Sequence, residues 1–285
     1  MKSHYDSTST VREQFVSLGT ILLMLLVFLW SSPAVSQDLD VPYVPTPSEV
    51  VDRMLQLANV GSGDYVIDLG SGDGRIVIAA AEKGAVGHGV DLNKNLLETS
   101  RQKAQSRGVD GRVMFIHEDL FKTDISDASV ITMYLLSKVN IKLRPRLLEE
   151  LRPGTRIVSH SFDMDEWEAD STIRMETAAG VSHRIYLWII PADADGRWNW
   201  EADGTQFRAG IKQNFQELEV DLRTDEAVYS VNNSFLKGNR ISFMANSGDT
   251  KYVYSGHIEG GNITGNIQIR KGNRERIVDW SATRE

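Results

Sequence analysis

Val66-Ile67-Asp68-Leu69-Gly70-Ser71-Gly72-Asp73-Gly74-Arg75-Ile76 is the stretch whose reading decides the fold of this chain. The short apolar run at residues 65–69 predicts a buried parallel strand. It carries one acid, Asp68, and breaks into three alternate glycines, Gly70, Gly72 and Gly74. Apolar residues then resume at helical spacing, at Ile76, Val77 and Ala80. Glycines at a strand-to-helix turn let backbone N–H groups approach a ligand with no Cβ in the way. The dinucleotide pattern G-x-G-x-x-G needs Gly or Ala at position 75, where this chain has Arg75.

Downstream, residues 86–90 read as a second strand ending in Asp91, 21 residues after Gly70. A nucleotide-binding sheet places an acid at that spacing against ribose hydroxyls, where a carboxylate accepts two hydrogen bonds from a vicinal diol. Asn93 is positioned to cap the helix that follows, and Gly108 to end it. Residues 112–116 predict a third strand, followed by His117-Glu118-Asp119, and residues 128–134 a fourth. Tyr134-Leu135-Leu136-Ser137 then leads into a helix that contains Pro145. A fifth strand is expected at 156–160, with two more at 172–176 and 183–190, the last pair antiparallel. Strand and helix alternate through most of this half, which predicts a doubly wound α/β sheet of seven strands with its site at the strands' carboxyl ends.

Upstream, Val41-Pro42-Tyr43-Val44-Pro45-Thr46-Pro47 is stiffened by three prolines and reads as an extended approach. Thr46 is the expected N-cap of the next helix, with Pro47 at its first position and Glu49 closing a capping box. Because this helix directly precedes the Asp68 strand, its extended lead is expected to fold across the glycine loop as a lid.

Beyond Pro191 the helical period disappears. Alternating segments at 240–244, 252–258, 263–269 and 276–280, with Gly-Asn turns at Gly238, Gly261 and Gly272, predict a small antiparallel barrel or sandwich. Trp198 and Trp200 read either as a ligand-binding pair or as hydrophobic plugs at a barrel end. The expected organisation is a leader at 1–36, an α/β domain at 37–192 and a β domain at 197–285.

In the leader, Lys2 and Arg12 precede an apolar run at 18–30, and Ala34-Val35-Ser36 offers a small-x-small cleavage site before Gln37. The run suits a signal-peptide core and is short for a membrane span. Export, or membrane association through an uncleaved anchor, is therefore expected. The chain has no cysteine, which excludes disulfides and thiolate metal sites. Its six histidines show no H-x-x-x-H or H-E-x-x-H spacing, so no metal site is expected. Residues 37–196 hold 17 Lys+Arg and 25 Asp+Glu, a net of −8, whereas residues 197–285 hold 12 of each. An acidic α/β half disfavours nucleic acid and favours basic partners.

Assembled, these stretches resemble the prokaryotic class I methyltransferases that use S-adenosylmethionine (SAM), with their Rossmann-like seven-stranded sheet. Residues 41–47, 68–75 and 134–136 together resemble the seven-β-strand protein-lysine methyltransferases, archaeal and mitochondrial. The resemblance spans roughly residues 41–190; the leader and the β domain depart from the archaeal pattern. It implies SAM as cofactor and methyl transfer to an acceptor, most simply a protein lysine amine. It also implies that Gly70, Ser71, Gly72 and Gly74 line the methionine end of the cofactor, with Asp68 near its amino group. Asp91 would hold the ribose and Asp119 the adenine; Tyr43 and Thr46 would close over the cofactor, and Tyr134 would line the acceptor slot. The competing readings are a small-molecule methyltransferase and a non-catalytic envelope module binding a nucleoside or a partner.

Overall fold

The structure is a computed structural model that describes residues 43–285. The leader with its cleavage motif, and Val41 and Pro42 of the lead, lie outside the described residues. Among the described residues, no helix is long and apolar enough to cross a membrane.

The first half runs α1 (Ser48–Leu57), β1 (Tyr65–Leu69), α2 (Arg75–Glu82), β2 (Val86–Asp91), α3 (Lys94–Ser106), β3 (Val113–His117), β4 (Val130–Met133), α4 (Ser137–Glu150), β5 (Arg156–His160), β6 (Ser171–Glu176) and β7 (Ser182–Ile189). These seven strands form one sheet in the order β3-β2-β1-β4-β5-β7-β6. β1 to β5 are parallel, and β7 runs antiparallel to both β5 and β6. The order reverses between β1 and β4, so the glycine loop after β1 sits at the topological switch point, where open α/β sheets bind ligands.

Burial explains the layers. α1 turns Val50, Val51, Met54 and Leu55 into a core shared with Val66, Ile76, Val130 and Val158. The opposite face packs Ile67, Leu69, Ile131 and Met133 against Leu143 and Leu147 of α4, with Trp167 and Trp188. The central strands β1 and β4 are buried on both faces, hence apolar runs interrupted only by Asp68 and Thr132, which bond each other.

One local expectation fails. The N-cap position of α1 is held by Pro47 with no side-chain cap, so Thr46 is not the cap. Its hydroxyl is drawn instead to a partner 114 residues away. The Glu49 carboxylate accepts from the Ala178 N–H rather than closing a capping box.

The second half is a closed barrel of eight antiparallel strands, which settles the barrel-or-sandwich alternative. Its strands are β8 (Gly196–Ala202), β9 (Thr205–Asn214), β10 (Glu217–Arg223), β11 (Val228–Lys237), β12 (Arg240–Ser247), β13 (Thr250–Glu259), β14 (Asn262–Lys271) and β15 (Arg274–Arg284). Each strand pairs with its chain neighbour, and β15 closes on β8 through Thr283–Asn199 and Arg284–Trp198. One turn signal is displaced: Gly260 rather than Gly261 takes the left-handed conformation, at φ +58°.

An aromatic cluster fills the interior. Trp200, Phe243, Tyr254 and Trp280 stack or meet edge-on, with centroids 4.4 Å apart for Phe243–Tyr254 and 5.1 Å for Tyr254–Trp280. Trp198 is fully buried and donates its indole N–H to the Ala194 carbonyl at 2.9 Å, and Trp200 belongs to the same core. Both tryptophans pack rather than present a ligand-binding pair. The rings need space, which Gly256 supplies, and the strands beside it pack closely at a second glycine. Gly256 pairs with Gly265 across β13 and β14, and a Cβ on Gly256 would lie 3.1 Å from Trp280. A Cβ on Gly265 would lie 2.0 Å from the Ser255 carbonyl oxygen.

Gly265→Ala is therefore expected to force the β13–β14 backbones apart at a cost of at least about 1–3 kcal/mol. Gly210, in β9, has nothing within 4 Å of its missing Cβ. Gly210→Ala should change stability by less than about 1 kcal/mol, in the favourable direction. Chemical denaturation of the full chain checks the contrast; equal effects at the two glycines would refute the packing account.

Candidate functional site

The loop between β1 and α2 is built from three left-handed residues, Gly70 at φ +79°, Gly72 at +53° and Gly74 at +76°. Residues with a Cβ rarely adopt that conformation. The turn is fastened to the end of β2. Gly70 and Ser71 both donate their N–H groups to the Val90 carbonyl, at 3.0 and 2.9 Å. The Gly72 N–H reaches Asp91 Oδ2 at 2.9 Å, and the Asn93 N–H reaches Oδ1 at 2.8 Å. Asp91 is half-buried, and each carboxylate oxygen keeps a further lone pair for a ligand. Close packing leaves the loop no other path. A Cβ on Gly70 would lie 2.9 Å from Leu135 Cδ2, and one on Gly74 would lie 2.6 Å from the Phe115 ring.

Asp68, near the end of β1, is buried. Its Oδ1 accepts the Thr132 hydroxyl at 2.7 Å, and its Oδ2 has no partner. Burial pushes its pKa up to about 7, opposed by the Thr132 hydrogen bond and reinforced by the nearby Asp91 and Asp73 charges. A buried carboxylate oxygen without a donor is costly, and a bound ammonium would satisfy it.

Asp73 is the opposite case. It is also buried, but Arg75 holds it with two bonds, Nε to Oδ1 at 2.8 Å and an NH2 group to Oδ2 at 2.6 Å, and Lys103 Nζ joins Oδ2. Despite its burial, these cations hold its carboxyl far below the usual carboxylate range. Arg75 then extends its other NH1 group to the Thr46 carbonyl at 2.7 Å.

Through that bond the lead joins the site. Thr46 is buried, and its hydroxyl lies 3.1 Å from His160 Nδ1. Tyr43 is exposed, yet its ring covers the loop so closely that a Cβ on Gly72 would come within 2.5 Å of it. Past β4, the half-buried Tyr134 lays its ring 4.0 Å from that of His160 and stacks on Phe162 at 5.9 Å. His160 Nε2 continues to His183 Nδ1 at 2.9 Å. Asp119 stands after β3 in a turn closed by the Phe121 N–H on its Oδ1 at 3.0 Å.

The structure thus brings Asp68, Gly70, Ser71, Gly72, Gly74, Asp91, Tyr43 and Thr46 into one connected group at the carboxyl ends of β1 and β2. Tyr134 lies at the carboxyl end of β4, and Asp119 in the turn just past β3. Among the described residues no group of side chains could hold a metal ion. Sequence reasoning missed Asp73, Arg75, Lys103, His160 and His183. The signal for His160 was its place as the last residue of a predicted parallel strand. Finding His183 required the antiparallel β7. The rest fits a nucleoside that carries an amino acid: an orphaned buried carboxylate oxygen, a glycine cradle that a Cβ would fill, and an acid at ribose spacing.

Comparisons with known proteins agree. The family model described as the ANTKMT methyltransferase domain matches residues 68–171. A protein-lysine N-methyltransferase of Saccharolobus islandicus is 45% identical over 154 residues, 53% of this chain and 94% of that protein. The adenine nucleotide translocase lysine N-methyltransferase of Mus musculus is 35% identical over 131 residues, 46% of this chain and 57% of that protein. Among solved structures, an RNA methyltransferase from Salinibacter ruber in complex with S-adenosyl-L-homocysteine shares 50% identity at a TM-score of 0.50. That alignment covers 53% of this chain and 95% of the other. The reading as a non-catalytic module falls, and the cofactor is S-adenosylmethionine: this chain belongs to the protein-lysine N-methyltransferase family of class I methyltransferases.

Proposed function

We propose that this enzyme methylates a lysine side chain on a protein, and that residues of its α/β half hold the cofactor and shape the acceptor slot. The observation that carries the reading is the match to the archaeal protein-lysine enzyme. It spans nearly all of that protein, and the family model matches residues 68–171, which contain the glycine loop. A second reading, RNA methylation, is favoured by the name of the Salinibacter neighbour. Electrostatics weigh against it. The net of −8 over residues 37–196 repels a phosphate backbone, whereas a basic protein surface around a target lysine is attracted.

In this reading Asp68 receives the amino group of the cofactor on its open oxygen. Gly70, Ser71, Gly72 and Gly74 let the backbone approach its methionine end. Asp91 accepts from the ribose hydroxyls, Asp119 from the adenine amino group, and Tyr43 and Thr46 cover the whole. When bound, the cofactor supplies a methyl carbon made electrophilic by its sulfonium. The acceptor must arrive as a neutral amine in line with that carbon. A lysine ammonium, of reference pKa about 10.4, must therefore first lose its proton. In this reading the acceptor amine passes the stacked rings of Tyr134 and Phe162, which are backed by the buried, neutral His160 and bring no positive charge. Such surroundings favour the neutral amine while the ring faces still attract the approaching ammonium. Export or membrane anchoring through residues 18–30 belongs to the same proposal, and cell fractionation with sizing of the mature N-terminus tests it.

Calorimetric titration of S-adenosylhomocysteine into the full chain should show one site. Asp91→Ala should weaken it at least about tenfold, by loss of charge-assisted hydrogen bonds. Gly72→Val should do the same by displacing Tyr43. Equal affinity for NAD would defeat the cofactor assignments.

Asp68 gives the binding a pH signature. In the free protein its raised pKa keeps it largely protonated below about 7. An ammonium beside it favours the carboxylate, so binding below that pH releases a proton. Affinity should rise from pH 5 to 7 and then level off, and Asp68→Asn should abolish the slope. A flat wild-type profile would refute the role given to Asp68.

With radiolabelled cofactor in a lysate, label should reside in protease-sensitive material as methyl-lysine, with activity rising from neutral toward alkaline pH. Label that resists protease and is lost to ribonuclease would establish the RNA reading instead. Label confined to metabolites would establish a small-molecule acceptor.

A further inference from the structure

His160 is fully buried at the end of β5, and three elements converge on it. Nδ1 meets the hydroxyl of Thr46 in the lead, Nε2 meets Nδ1 of His183 in β7, and the ring face lies against Tyr134 after β4. Its backbone is held just as firmly. Ser161 takes a left-handed φ of +65° and donates its N–H to the Arg184 carbonyl at 2.8 Å. The buried Asn140 of α4 binds the carbonyls of Phe162 and Asp163, both at 3.1 Å. A non-glycine residue held left-handed directly after a buried histidine marks a turn that the surroundings over-determine. Burial and the neighbouring His183 push the His160 pKa down to about 4, so the ring is neutral at physiological pH.

The lead is thereby clasped at two points by the same residue. The Thr46 carbonyl is tied to the glycine loop through Arg75 and Asp73, and its hydroxyl is tied to His160 on the far side of the site. Only the second clasp also touches Tyr134. We propose that His160 is a positioning residue that couples the two halves of the reaction, fastening the Thr46 lid over the cofactor loop while setting the Tyr134 wall of the acceptor slot. The inference rests on the reading in which the glycine loop takes the cofactor and Tyr134 faces the acceptor. It also gives His183 a purpose: by engaging Nε2 it fixes the ring so that Nδ1 points at the lid.

The two ring nitrogens can be tested separately. An asparagine side chain places a polar atom near the position of Nδ1, and a glutamine near that of Nε2. Binding of S-adenosylhomocysteine to the full chain is measured by calorimetry for His160→Ala, His160→Asn, His160→Gln, Thr46→Val and the Thr46→Val/His160→Ala double variant. Loss of the clasp should weaken binding roughly fivefold in each of the alanine and valine variants, the effect of about one hydrogen bond. The double variant should be no weaker than His160→Ala alone, because both changes remove one shared interaction. His160→Asn should recover most of the affinity, and His160→Gln should not. A cooperative denaturation transition identifies the variants that fold; should His160→Ala not fold, Thr46→Val and the Asn–Gln contrast decide the matter.

With methyl transfer as a second readout, His160→Gln should also raise the acceptor KM, because Tyr134 loses its backing ring. Unchanged affinity in the single variants, losses that multiply in the double variant, or rescue by Gln equal to that by Asn would each overturn the proposal while leaving the cofactor reading intact. A wild-type chain that binds no S-adenosylhomocysteine would overturn both.

Discussion

The site depends on one junction, the hydrogen bonding of the Gly70–Gly72 turn to the end of β2. Parallel pairing brings Leu69 level with Val90, so the chain leaving β1 finds the Val90 carbonyl and the Asp91 carboxylate directly beside it. Gly70, Ser71 and Gly72 each spend an N–H on that neighbour. The turn that results needs left-handed residues, and it lies so close to β2 that a Cβ on Gly89 would come within 2.5 Å of Ser71. Sheet register, glycine content and the direction of Asp91 are thus one constraint seen from three sides. The sheet places the loop, and the loop leaves its remaining surface open at the switch point.

Three acids stand around that loop, and their surroundings give them different characters. Asp73 is neutralised by Arg75 and Lys103 and stays ionised, so its work is structural: it holds the guanidinium that reaches the lid. Asp91 is fixed by backbone N–H groups with lone pairs to spare. Asp68 has one hydroxyl, no cation and an open oxygen, and burial raises its pKa to about 7, so that a bound cation would favour its ionised form. Placing the cations on Asp73 rather than on Asp68 leaves the deepest acid available. Like-charge repulsion among the three adds to the cost of ionising it, so a positively charged ligand meets a site already short of positive charge.

Local sequence was a good guide where local rules act. The glycine turn, the spacing of Asp91 and the buried strands around Asp68 are set within about 25 residues, and they fold as their pattern predicts. Thr46 shows where such reading stops. Thr46-Pro47-Ser48-Glu49 has the composition of a capping box, yet a partner from β5 offers the hydroxyl a better bond and the cap is forgone. His160 and His183 were unreadable as a pair for a related reason. Their 23-residue separation matches no motif; they meet because β7 enters the sheet antiparallel beside β5, putting Ile185 opposite His160 and His183 just beyond. Closure of the barrel is also non-local, since the contact that makes it joins the first and last of its strands.

That reversed strand has a second consequence. Because β7 runs against its neighbours, it delivers the chain to the amino ends of the parallel strands, opposite the glycine loop. There the Gly154 N–H meets the Ile190 carbonyl, and the barrel docks through the Ala192 N–H on the Gly238 carbonyl at 2.8 Å. A Cβ on Gly238 would lie only 3.1 Å from Gly154, so the two turns fit closely. A second contact joins Trp167 to Phe215, stacked at 5.7 Å, and to Gln216, whose Oε1 accepts the indole N–H at 2.9 Å. With Arg144 of α4 lying over the same Phe215 ring, this contact sits on the α4 flank of the sheet. Neither contact uses the carboxyl ends of β1 and β2. A strand inserted parallel at this position would have released the chain beside the site and set the barrel over its mouth. Among the described residues, the antiparallel insertion carries an eight-stranded domain toward the amino ends of the parallel strands, away from the switch point.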